Sequence, residues 1–117
     1  ILTFTKKLLT KEFADIMAQC EPYSRSFFSS NTDNTMVSYY EENDHYRPHH
    51  DTFLWTTLIW FVKEPRLFDG GNFVLNDLGY EIRLHHNRMV MFPSCFMHSV
   101  TPVKFHTNPK EPVPTGK

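Results

Sequence analysis

Cysteine is scarce. Two thiols in 117 residues, Cys20 and Cys95, cannot build a disulfide framework, and both are predicted to be free, buried and held in a reducing compartment. Long apolar runs are missing too: the longest, near Leu58 to Val62, falls far short of the roughly 20 residues of a membrane-spanning helix, so no membrane partner is expected. The chain opens without the charged-then-apolar form of a secretory leader, which makes the cytoplasm the expected compartment. Charge of one sign is not in excess either, with 12 Lys and Arg against 13 Asp and Glu and a formal net charge of -1. That balance gives no broad electrostatic drive towards nucleic acid. Repeats and low-complexity tracts are absent. The first residue is not Met and the sequence stops at Lys117, so the expectation is one domain over 1–117, truncated at one or both ends.

What is present is aromatic and β-prone. The chain is 40% hydrophobic and 15% aromatic, with 11 Phe, which suits a globular protein rich in strands. Seven His is a high count for this length and points to metal or proton chemistry. Near the start, Phe13, Ile16, Met17 and Cys20 fall at helical spacing, with Thr10 as N-cap and Pro22 ending the run. This stripe is predicted to pack on a sheet. The polar stretch from Glu21 to Asn34 reads as irregular or as a short second helix with Phe27 and Phe28 docked. Strands are predicted at Thr35 to Tyr40, at His45 to Asp51 after a polar turn, and at Phe53 to Val62, the last buried on both faces. Asp69-Gly70-Gly71 supplies a tight return with positive φ. Further strands follow at Asn72 to Leu75, around Tyr80 to Leu84, at Arg88 to Phe92 and at Phe96 to Val103, and the Pro-rich tail is a loop. About seven short strands behind one or two N-terminal helices indicate a mainly β sandwich or barrel of jelly-roll type.

The chemistry concentrates in Tyr46-Arg47-Pro48-His49-His50-Asp51 and, far downstream, Met97-His98-Ser99-Val100. Side chains two apart on a strand share a face, so His49 and Asp51 project together. With His98 beside them, two imidazoles and one carboxylate face one side of a metal, the arrangement that leaves open positions on non-haem Fe(II). His-x-Asp alone is a weak signal; its surroundings make it specific. Tyr46 precedes the triplet, Gly70-Gly71 lies between it and the third histidine, and Arg88-Met-Val-Met-Phe-Pro leads into His98-Ser-Val-Thr-Pro102.

On these residues, the region Met36 to Val103 resembles the 2-oxoglutarate- and Fe(II)-dependent oxygenases, in particular their prolyl 4-hydroxylase-like branch. The resemblance implies a double-stranded β-helix (cupin-like jelly roll) with Fe(II) on His49, Asp51 and His98. It implies O2 and 2-oxoglutarate as co-substrates, with ascorbate to keep iron reduced. It also implies a basic residue after the distal histidine to pair with the far carboxylate of 2-oxoglutarate, as a charge-assisted bond to that dianion requires. Lys117 has the matching local setting and Lys104 is the reserve. Tyr40 corresponds to a tyrosine of the co-substrate pocket, and Thr57 is a further hydroxyl candidate. The implied reaction hydroxylates an unactivated C–H of a prolyl residue in a peptide or protein, or of a small-molecule substrate, and converts 2-oxoglutarate to succinate and CO2.

Plainer roles fall to the other residues. His45, His50, His85, His86 and His106 are expected to be solvated. Arg88 is expected to pair at a strand start, and Tyr39, Trp60, Phe61 and Phe92 to fill the core. Two other functions remain open on sequence grounds: a cupin-like metalloenzyme that does not use 2-oxoglutarate, and a non-enzymatic jelly-roll binding module.

Overall fold

Thr10 starts the first described helix by offering its side chain where the backbone has none. Its Oγ1 accepts the Phe13 N–H at 3.2 Å, one of the donors every helix start leaves over. The computed structural model describes residues 10–20, 22–30 and 32–107, in two units, Ile1–Ser38 and Tyr39–Lys117. In the first, α1 (Lys11–Ala18) is followed by a 3₁₀ helix over Pro22–Ser29. The ring of Phe13 meets that of Phe27 edge to face at 5.4 Å, so this face of the helix packs on the next helix. The stripe is only partly covered. Ile16 and Cys20 are exposed, and so is Phe28 on the 3₁₀ helix, which was expected to dock.

The described residues of the second unit form eight strands: β1 (Tyr46–His49), β2 (Trp55–Ile59), β3 (Phe68–Asp69), β4 (Phe73–Leu75), β5 (Tyr80–Ile82), β6 (Met89–Pro93), β7 (His98–Val100) and β8 (Lys104–Phe105). They form a four-stranded sheet in the order β1-β7-β4-β5 and two two-stranded sheets, β2-β6 and β3-β8, with every pairing antiparallel. Among the described residues the structure is mainly β, with one short α-helix and 3₁₀ helices at Pro22–Ser29 and Asn76–Leu78.

Phe73, Leu75 and Phe92 form the buried core, with Leu58, Trp60, Ile82, Val90 and Phe96 packed against it. Phe73 on β4 lies 4.8 Å ring to ring from Phe92 on β6, which joins the four-stranded sheet to β2-β6. Parity along β2 and β6 follows from this contact. Leu58 shares a face with Thr56, and Thr56 stands opposite Phe92.

The Gly70-Gly71 return has φ of 75° and 67°, as its sequence predicted. A Cβ on Gly70 would collide with the carbonyl oxygen of Pro102, so both the angle and the close approach demand glycine. Buried Arg66 fastens the same corner. Its guanidinium donates to the carbonyls of Phe68 (2.8 Å), Gly70 (2.7 Å) and Leu84 (3.2 Å) and lies 4.6 Å over the Phe68 ring.

Several sequence expectations are corrected. Thr35 to Tyr40 forms no ladder, and Met36, Val37 and Tyr39 are exposed. Their β-propensity is not matched by a partner edge among the described residues. The third predicted strand is shorter, Trp55–Ile59, and half-buried throughout rather than buried on both faces; Phe53, Leu54 and Phe61 are exposed. Cys20 and Cys95 are free, as expected, but exposed. Lys104–Phe105 pairs with β3 where a loop was predicted. Among the described residues, no helix is long and apolar enough to cross a membrane.

Removing the Phe73 ring should leave a cavity between the sheets. Phe73→Ala is expected to cost about 3–5 kcal/mol in urea denaturation, whereas Phe61→Ala should stay within about 0.5 kcal/mol.

Candidate metal centre

The site is assembled by one strand pairing. On β1 and β7, Tyr46 stands opposite Val100 and His49 opposite His98, three steps on one strand against two on the other. That extra residue is a bulge on β1. In an unbroken strand Tyr46 and His49 would face opposite sides; the bulge returns them to one side, with rings 4.3 Å apart. His98 sits on a central strand, flanked by β1 and by Leu75 of β4, and is buried against Phe92 (4.8 Å) and Phe73 (5.7 Å). Asp51 follows β1 rather than lying within it. Its N–H donates to the Ser94 carbonyl at 3.1 Å, and Ser94 N–H donates to Leu54 at 3.0 Å, which sews the ligand loop to the end of β6. One ligand atom from each of His49, Asp51 and His98 lies within 4.8 Å of the others, the only such group of three among the described residues.

The hydrogen-bond pattern suits a cation. His49 Nδ1 lies 2.8 Å from the Arg47 carbonyl, and His98 Nδ1 lies 2.8 Å from that of Phe96. A carbonyl can only accept, so each Nδ1 carries a hydrogen, and each ring turns its Nε2 inwards. Those nitrogens face Asp51 Oδ1 at 3.5 Å and Oδ2 at 3.4 Å. Such separations exceed the 2.7–2.9 Å of a charge-assisted hydrogen bond. Three electron-rich atoms converge with room between them, and nitrogen with carboxylate oxygen is a donor set proper to Fe(II).

Two hydroxyls complete the surroundings. Thr56 Oγ1 donates to Asp51 Oδ2 at 2.5 Å and lies 2.8 Å from Ser94 Oγ, whose residue is fully buried. Neither was singled out from sequence. The available signal was parity: Thr56 shares the inward face with Leu58, whereas the expected Thr57 lies opposite Met91 on the other face.

The remaining candidates are dispersed. Tyr40 is half-buried, and its phenol is pushed above the usual range by burial, then by Tyr46 and Asp44. It therefore stays a hydrogen donor at neutral pH. The exposed Lys104 ammonium donates to Asn43 Oδ1, and its strand partner is Asp69, so it serves the turn at 41–44. Lys117 lies outside the described residues. Exposed His50 is no ligand, and His86 accepts the Val62 N–H at 3.1 Å. His45 meets the Asn43 carbonyl at 3.1 Å, and His106 meets Asp69 at 3.2 Å. Burial, then the charges of Arg88, Arg83 and Arg66, hold His85 below the ordinary histidine range. Arg88 donates to the Arg83 carbonyl at 3.0 Å, a structural bond.

With this geometry in place, the comparison with known families is direct. The family model of the 2OG-Fe(II) oxygenase superfamily matches residues 35–110, well over half of the chain and all three ligands. The chain belongs to that superfamily, whose members use Fe(II) and 2-oxoglutarate. No solved structure matches it.

A cation that binds only the folded site must stabilise it. Mn(II) at a hundredfold excess over its Kd should add about 2.7 kcal/mol, read as a rise in melting temperature, and His98→Ala should lose that rise.

Proposed function

We propose that the protein is a 2-oxoglutarate-dependent dioxygenase that hydroxylates a prolyl side chain of a peptide or protein. The observation that carries this reading is the convergence of His49, Asp51 and His98 in a chain matched to the superfamily over residues 35–110. The reaction balances as substrate C–H, O2 and 2-oxoglutarate giving substrate C–OH, succinate and CO2. Bound Fe(II) supplies the O2 chemistry that couples decarboxylation to hydroxylation.

The chain's own residues provide placement. His49, Asp51 and His98 hold the metal from one side and leave the other for co-substrate and O2. Tyr40, kept protonated by its surroundings, donates to the 2-oxoglutarate carboxylate. Lys117 takes the far carboxylate. Lys104 is the reserve, because it would first have to release Asn43. Tyr46, whose ring lies 4.3 Å from that of His49, offers an apolar face beside the triad, which suits a pyrrolidine ring better than a charged side chain. The paired antiparallel sheets around one core support the double-stranded β-helix as the complete architecture.

The protein with Fe(II), 2-oxoglutarate and ascorbate should consume O2 and release succinate, and a proline-containing peptide should gain one oxygen atom by mass spectrometry. His49→Ala and Asp51→Ala should abolish turnover; undiminished succinate release from either would remove the ligand assignment. Tyr40→Phe should raise the KM for 2-oxoglutarate by about 3- to 10-fold, the worth of one hydrogen bond, with kcat little changed.

A further inference from the structure

Asp51 is the ligand with the least backbone support. It lies past the end of β1, so no ladder on its own strand fixes its side chain. What orients the carboxylate is a line of hydroxyls whose direction the geometry settles. Thr56 has one hydroxyl hydrogen, and the carboxylate at 2.5 Å can only accept it. The 2.8 Å contact between Thr56 Oγ1 and Ser94 Oγ must then run from Ser94 to Thr56. Hydrogen passes along Ser94, Thr56 and Asp51 in one sense, and Ser94 is fully buried, so water does not compete for its hydroxyl. Ser94 also grips the ligand loop through its backbone, accepting from Asp51 N–H at 3.1 Å and donating to Leu54 at 3.0 Å.

We infer that Thr56 and Ser94 are positioning residues that together hold the Asp51 carboxylate in the orientation in which it faces His49 and His98. This inference rests on the metal-binding reading of the triad. Residues that hydrogen-bond a metal ligand typically carry 10- to 100-fold in metal affinity.

Mn(II) titration followed by electron paramagnetic resonance, below the melting temperature of each metal-free variant, tests it without recourse to turnover. Thr56→Val, which keeps the shape and removes the hydroxyl, should weaken Mn(II) binding about 10- to 100-fold, and Thr56→Ser should restore it. Ser94→Ala should weaken binding less. The double variant Thr56→Val/Ser94→Ala should bind no worse than Thr56→Val alone, because Ser94 acts through Thr56. Wild-type affinity in Thr56→Val, or additive losses in the double variant, would overturn the positioning role and leave the metal site standing. Failure of the unaltered protein to bind Mn(II) saturably would overturn the metal reading and this inference with it.

Discussion

The antiparallel pairing of β1 with β7 is the constraint on which the site depends. Residues directly opposite on such a ladder come within about 4.5–5.5 Å of each other, and His49 opposite His98 brings their ring centres to 4.2 Å. A slip of one residue would turn one imidazole to the other face. What prevents the slip is packing on the far side of β7. Leu75 pairs with His98 and Phe73 with Val100, and both β4 residues are anchored in the hydrophobic core. The core therefore fixes the register, and the register brings the ligands together.

Electrostatics supplies the second layer. Two imidazole nitrogens and a carboxylate face one another at 3.4–3.5 Å, an arrangement that a cation between them would stabilise. The scaffold holds them there through carbonyls behind each ring, a hydroxyl on Asp51 Oδ2 and aromatic rings against His98. Arg66 shows the opposite solution within the same unit. That buried cation is satisfied by three backbone carbonyls, so it stabilises a corner and recruits no ligand.

Much of this was legible before any coordinates. The helix cap at Thr10, the positive-φ glycines and most strand positions follow from local rules about spacing and residue type, and the structure has them. The grouping of His49, Asp51 and His98 is an expectation carried by the family resemblance, and the structure brings one ligand atom of each within 4.8 Å of the others. The misses share a cause: each depended on what lies across from a residue. Met36, Val37 and Tyr39 are strand-prone but have no strand partner among the described residues, and Phe61 has the composition of a core residue but is exposed. Thr56 and Thr57 are chemically identical neighbours that only the facing strand separates. The bulge in β1 was likewise invisible, since it is a property of two strands and is written in neither one.

Both imidazoles take their orientation from the main chain two residues upstream, His49 from Arg47 and His98 from Phe96. A peptide carbonyl is common to every amino acid, so replacing the side chain of Arg47 or Phe96 leaves the acceptor in place. The aim of each ring is thus insulated from sequence drift at the position that sets it. Such a centre can pass through many rounds of change in its neighbours, and so acquire new substrates, while its two nitrogens keep the same bearing.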